Sequence, residues 1–430
     1  MRARCEVELR YVLALNDTGL FAALTDAEQQ RITDAIDHFS DEDYERIKEI
    51  ESVTRHDVKA CEMFLREKVA LADNNLIHFA LTSEDVNNLA YNLMLKAYLA
   101  EEQLPLLITL LTMLSGLASA WKTIPFPART HGQKASPTTA GKEAAVCINR
   151  LLRQYRKLKS FQFSGKLNGA VGNFSAMIAA FPEYDWMNFS YRFLENLGFA
   201  PNIATTQIED HDTWAEYFNV TRQINNIVID LNQDFWAYIS RDLFHEDTRD
   251  GEVGSSTMPH KVNPIHFENS EGNLILSNSL LTMLSEKLCR SRMQRDLSDS
   301  TVERNIGVAL AHSYLAITET MRGLQKLRID ERRCLAELEN SPELLAEPIQ
   351  TVLKTAGVAD PYSLLKQVTR GKTVTNEDLE HFIETLKIDN FVKSRLKKLH
   401  VSSYIGDAVR ICENVVNLVT QEFRMTEQGK

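Results

Sequence analysis

Along most of this chain, apolar residues return every three or four positions. Residues 202–250 contain neither Pro nor Gly, and Trp214, Phe218, Ile224, Val228, Leu231, Phe235 and Ile239 fall mostly at such spacings. That predicts a single helix of unusual length with one apolar face. Residues 265–341 also lack Pro, and Val302, Ile306, Leu310, Tyr314, Ile317, Met321 and Leu324 make a second stripe. The stretch 138–163, "TTAGKEAAVCINRLLRQYRKLKSFQF", follows Pro137 and predicts a third. Period-two patterns bounded by turn residues are nearly absent, so the chain reads as all-α. A continuous apolar face needs a partner along its whole length, and this favours a bundle whose helices pack within and between subunits over a monomeric one. Two breaks divide the pattern, "DNNL" near 73–76 and the charged "QKLRIDERR" at 325–333. They give an N-terminal helical domain over 1–74, a long-helix domain over 75–325 and a C-terminal domain over 326–430. The last is built of shorter helices, one of them starting at Glu377 after the capping run "TVTN".

Composition narrows this picture modestly. The chain is 44% hydrophobic and 25% charged, with a net charge of -11. That balance argues against a nucleic-acid partner, which usually draws on a basic face, but a locally basic site can still take an anionic small molecule. The six Cys are scattered with no C-x-x-C pair, as expected of reduced, mostly buried thiols in a cytosolic protein. No apolar run is expected to reach membrane-spanning length, and "MRARCEVELRYVLAL" has neither a long apolar core nor a cleavage site. The expectation is a soluble, cytoplasmic protein with no membrane partner.

Polar groups gather in the interruptions between helices: "TRHD" at 54–57, "TSED" at 82–85, "RTHGQ" at 129–133, "TTQIEDHD" at 205–212 and "GSSTMPHKVNP" at 254–264. Each has a plain reading. "TSED" is a capping box with Thr82 as N-cap and Asp85 at the third helical position. His56 beside Asp57 makes an ordinary side-chain pair, His131 a loop histidine, and Gly-Ser-Ser a turn. Yet the last loop runs directly into Lys261, Asn263 and Pro264, a mixture that a linker does not require. Other chemistry is disfavoured. "SGKLNGAVG" at 164–172 has neither phosphate-loop nor dinucleotide-loop spacing, the eleven His contain no H-E-x-x-H pair, and no G-x-S-x-G elbow occurs. No metal and no cofactor are expected.

"GSSTMPHKVNP" resembles the signature loop of the fumarase/aspartase superfamily, G-S-S-x-M-P-x-K-x-N-P, at every fixed position. With "VTRHDVKA", "HFALTSEDVNNLA", "RTHGQKASPTTAGKE", "KLNGAVGN", "TTQIEDHD" and "QRDLSDSTVERN", the chain resembles the adenylosuccinate lyase family, its bacterial form in particular, from about residue 5 to the C-terminus. The resemblance implies an all-α, three-domain fold whose central long helices form a twenty-helix core in a homotetramer. It also implies active sites built from loops of several subunits. The implied activity is β-elimination of fumarate from adenylosuccinate, giving AMP, and from the succinylated carboxamide ribotide SAICAR, giving AICAR.

By the same resemblance Ser255 is the general base and His131 the general acid, and Lys261 and Asn263 serve the substrate carboxylate. Thr82 and Ser83 donate to a succinyl carboxylate. His56, within Arg55-His56-Asp57, orients the substrate, and Gln207 and Asn269 add contacts. Arg295, Ser300 and Arg304 hold the ribose and phosphate side, where the guanidinium fork suits phosphate. Two departures stand out. Lys134 occupies a position where relatives often carry Pro, and the family's early "SPVDGRY" segment, whose Arg-Tyr pair serves phosphate, would precede Met1, so weaker phosphate binding is expected. Another lyase of the superfamily, such as argininosuccinate lyase or fumarase, and a catalytically weakened tetrameric scaffold remain the alternatives.

Overall fold

The computed structural model describes residues 1–247, 258, 261–369 and 374–428. The expected all-α class holds: the strands among the described residues are two or three residues long and pair only two at a time. The first apolar stripe is the helix Asp212–Ile239 and the third is Ala140–Lys159. The second stripe is broken. Val302 lies in a short helix, Ser298–Glu303, and the long one begins afresh at Ile306 and runs to Lys326. Spacing alone did not expose that break, because Val302 and Ile306 keep the four-residue interval across it.

The expectation that no apolar run reaches membrane length needs correction. Ser83–Trp121 is one helical stretch with a window of mean hydropathy 1.7, long and apolar enough to cross a membrane by length and composition, and 44% of that window is buried inside the protein. Its second half, Leu104–Trp121, spends Leu106, Leu107, Leu110, Leu111, Leu114 and Ala118 on core packing.

Several helix starts follow from local chemistry. Thr25 with Glu28, Ser40 with Asp43 and Thr375 with Asp378 form reciprocal capping boxes, each satisfying two backbone N–H groups that the first helical turn leaves open. All six Cys are free, five of them buried.

The chain folds as two compact units. The first comprises 1–105, 157–222 and 277–311. Its core forms where the helix Arg2–Asn16 buries Val7, Leu9, Tyr11, Val12 and Leu15. Tyr11 meets Phe189 and Phe193 edge-on at 5.9 and 5.8 Å and donates its hydroxyl to the Phe79 carbonyl at 3.0 Å, so a buried phenol keeps a partner.

The second unit comprises 106–156, 223–276 and 312–430. Trp121, Phe126, Phe235 and Phe244 pack mainly edge-on in its core. Gly323 lets the helix Ile306–Lys326 approach Phe267, since a Cβ there would stand 2.8 Å from the ring. Three helices are also joined by a closed ring of buried hydrogen bonds: Asn232 donates to Ser270 at 2.9 Å, Ser270 to Thr320 at 2.8 Å, and Thr320 back to Asn232 at 3.0 Å. A polar ring with every member satisfied fixes the axial register of its helices, which apolar packing alone defines less sharply. A smaller apolar cluster, including Leu338, Ile349, Leu353, Leu379 and Ile383, organises the C-terminal helices.

Candidate active site

Nine of the site residues expected from sequence belong to the first unit: Arg55, His56, Asp57, Thr82, Ser83, Gln207, Arg295, Ser300 and Arg304. Arg55 ends the helix Asp41–Thr54 in a left-handed conformation, φ 54°. His56 caps the next helix, Asp57–Val69, its Nδ1 accepting the Lys59 N–H at 3.2 Å. An accepting Nδ1 places the proton of a neutral ring on Nε2, which makes that nitrogen the donor. Thr82 and Ser83 open the helix Ser83–Ala97, whose N-terminal dipole favours an anion.

A chain of charged contacts links these starts. Arg4 pairs with Asp57 at 2.9 Å and donates to Asn87 at 2.7 Å; Asn87 donates to Glu84 at 2.7 Å; and Glu84 pairs with Arg295 at 2.9 Å. The structure thus brings Asp57, the "TSED" helix and Arg295 into one network. Arg295 also approaches Asp299 at 3.6 Å. Ser300 lies one residue further along the same short helix, and exposed Arg304 ends it.

The "TTQIEDHD" segment contributes more than Gln207. His211, in a left-handed conformation with φ 61°, is fully buried and stacks on Trp214 with ring centroids 4.1 Å apart. Its two nitrogens face Glu209 at 3.5 Å and Glu303 at 3.6 Å. Burial opposes charging of this imidazole, but Glu209, Glu303 and Glu84 outweigh it and raise its pKa above the ordinary histidine value. Burial likewise pushes Glu303 up to about 7, aided by Glu84 and Asp299 and opposed by His211 and Arg295. His211 and Glu303 lie inside segments the sequence had singled out, yet nothing in those segments marked the pair.

His131, Lys261, Asn263 and Asn269 belong to the second unit. His131 stands exposed at the tip of a hairpin pairing Arg129 with Lys134 and Thr130 with Gln133. His131 and Gly132 both have positive φ, 53° and 72°, as a two-residue hairpin loop that follows the twist of its strands requires. The hairpin is tethered at its base. Arg129 pairs with Glu337, Lys134 donates to Ser341 at 2.6 Å, and Ser136 donates to Glu347. Lys134, the departure from the family pattern, is thus an anchor of the hairpin whose loop carries His131. Lys261 is exposed, Asn263 is half-buried before Pro264, and Asn269 lies exposed on the helix Ile265–Leu288. Ser255 lies outside the described residues.

Comparison with known proteins supplies what geometry leaves open. The family model described as Lyase matches residues 4–277, and that described as Adenylosuccinate lyase C-terminal matches 291–405. Adenylosuccinate lyase of Haemophilus influenzae is 46% identical over 423 residues, covering 96% of this chain and 93% of that protein. The chain belongs to the adenylosuccinate lyase family. The adenylosuccinate lyase of Escherichia coli strain K12 is 47% identical over 427 residues, with 96% of this chain and 93% of the relative covered. The fold of the family is shared more widely. A fumarate lyase from Mesorhizobium sp. BNC1 superposes with a TM-score of 0.78 at 18% identity, covering 97% of this chain and 95% of its own. A 3-carboxy-cis,cis-muconate lactonizing enzyme from Pseudomonas putida gives 0.78 at 19% identity, covering 98% and 94%. At that distance the likeness defines the fold, the fumarase-type all-α architecture, and leaves the chemistry to the site.

Proposed function

We propose that this protein eliminates fumarate from adenylosuccinate, releasing AMP, and from SAICAR, releasing AICAR. The observation that carries the reading is near-full-length similarity, over 96% of the chain, to curated adenylosuccinate lyases. In this reading Ser255, as alkoxide, takes a proton from the carbon next to a succinyl carboxylate. The electron pair of that C–H bond forms the fumarate double bond as the C–N bond breaks, and the nitrogen leaves with a proton from the His131 imidazolium. Negative charge grows on the carboxylate during the first step, so donors aimed there stabilise the transition state. Lys261 and Asn263, with Thr82 and Ser83 at their helix N-terminus, are assigned that role. His56, with Nε2 as donor, and Gln207 and Asn269 orient the substrate, while Arg295, Ser300 and Arg304 hold the ribose phosphate.

The reading includes a cytoplasmic homotetramer with no cofactor. A central long-helix domain, about 75–325, forms its twenty-helix core, and loops of different subunits complete each site. Exposed apolar residues beside the buried stripes support it, Trp236 on the helix Asp212–Ile239 and Val308 and Leu315 on the helix Ile306–Lys326.

A spectrophotometric assay of adenylosuccinate cleavage tests the activity. Ser255→Ala is expected to abolish turnover and to keep substrate binding, because the lost interaction belongs to the transition state. Near-normal kcat in that variant rejects Ser255 as base, and no cleavage by the unaltered protein rejects the reading as a whole.

A further inference from the structure

Lys166 belongs to "SGKLNGAVG", the segment whose Gly and Lys fit no phosphate loop, and its side chain is completely buried. An ammonium carries three protons, and each has a partner here. Nζ meets Asp85 Oδ1 at 3.0 Å and donates to the Gly169 carbonyl at 3.0 Å and the Gln207 carbonyl at 2.8 Å. Asp85 is equally occupied. Its Oδ2 accepts the Thr82 N–H at 2.9 Å, and its Oδ1 accepts the N–H groups of Asn168 at 3.0 Å and Gly169 at 3.3 Å. One buried ion pair therefore joins the backbone at Thr82 to the backbone at Gln207, two positions assigned above to substrate binding.

The surroundings fix the rest of the junction. Asn88 accepts the Lys166 N–H at 3.0 Å and donates to the Lys166 carbonyl at 3.1 Å. Asn168 donates to the Thr205 hydroxyl at 2.8 Å, and Gln207 donates its amide to the Ala170 carbonyl at 3.1 Å. A buried ion pair gains little net stability over apolar packing of the same volume, because both charges must be stripped of water. What it adds here is direction: three fixed acceptors around one ammonium, one in its own segment and two on segments distant in sequence.

We propose that Lys166 is a positioning residue of the lyase, which holds Thr82 with Ser83 and Gln207 in mutual register for the succinyl end of the substrate. The proposal rests on the site reading given above. Lys166 is sealed from solvent, so it acts through these residues and never touches the substrate. The alternative is a role in folding alone. The two differ in a double variant. Lys166→Met by itself strands the Asp85 charge in the interior, which destabilises the protein whatever Lys166 does. Asp85→Asn combined with Lys166→Met leaves no stranded charge, so much of the melting temperature returns while the link between Thr82 and Gln207 stays cut.

The test uses the full-length protein, with KM and kcat for adenylosuccinate measured well below every variant's melting transition. Positioning predicts KM raised about tenfold or more in Lys166→Met, and equally in the double variant, with a smaller change in kcat, since contacts to a charged carboxylate are lost or misplaced. A double variant that regains stability and wild-type KM together overturns the proposal. If Lys166→Met does not fold, the double variant alone decides. Thr82→Val and Gln207→Ala are measured alongside. If both keep wild-type KM, the site reading falls and takes the proposal with it. If they raise KM and the double variant does not, the proposal alone falls.

Discussion

Glu303→Gln should make the protein more stable at neutral and alkaline pH, although it removes a buried charged group from beside His211. In the folded chain Glu303 is held at about 7 against an ordinary 4.5. Below the ordinary value the carboxyl is protonated whether folded or unfolded, and pH has no leverage through it. Between the two values the folded chain keeps a proton that the unfolded chain has released, so stability falls as pH rises. Above the folded value both states are ionised and the full penalty applies. At 1.36 kcal/mol per pKa unit that penalty comes to about 3 kcal/mol. His211 adds a slope of the same sign in both proteins, because its raised value lends stability at low pH that is lost as pH rises through it. Glu303 is itself one of the carboxylates that raise His211, so the variant's His211 slope is shallower, and the difference between variant and wild type reports the Glu303–His211 pair with both contributions of one sign. Urea unfolding, analysed for midpoint and slope, should give nearly equal stabilities at about pH 4 and a variant more stable by about 3 kcal/mol at about pH 8. Curves that stay parallel across that range would refute the burial argument and place an ionised carboxylate beside His211 throughout.

Three further outcomes follow from other parts of the molecule. Gly172→Ala puts a Cβ 2.2 Å from the Thr205 carbonyl oxygen at a φ of +83°, and should cost about 2–5 kcal/mol by combined strain and overlap; Gly19→Ala, with φ +70° and open space, should cost only about 1–2 kcal/mol, so thermal melts of the two separate clash from backbone strain. Asn232→Ala opens the buried ring and leaves Ser270 and Thr320 each short of a partner, a loss of about 1–3 kcal/mol per unsatisfied group, read as a lower urea midpoint. Mixing His131→Ala subunits with Ser255→Ala subunits after dissociation should restore activity if each site draws on several chains, and verified mixed tetramers with no activity would count against shared sites.

The elements readable from sequence are those whose causes lie within a few residues. The stripe from Trp214 to Ile239 became one helix because apolar spacing of three and four is a property of the helix itself. Thr375 and Asp378 cap a helix because the groups that need satisfying are three residues apart. The loop "GSSTMPHKVNP" and its companions carried the family by residue identity, with no coordinates needed. Tertiary structure decided the rest. Spacing ran straight across the break between Glu303 and Ile306, because half-buried Val302 and buried Ile306 keep a four-residue interval on either side of it. Glu303 looked like one acid among many until folding set His211, Glu84 and Asp299 around it and withdrew the water. Gly172 gained its constraint from the Thr205 carbonyl. Lys166 sat in a segment set aside for lacking a phosphate-loop frame, and beyond the nearby Gly169 its acceptors Asp85 and Gln207 lie on other stretches of chain, the latter 41 positions away. Helix formation and capping are local free energies, summed along a segment. The worth of a buried charge depends on which partners the whole fold delivers to it, and no window of sequence contains them.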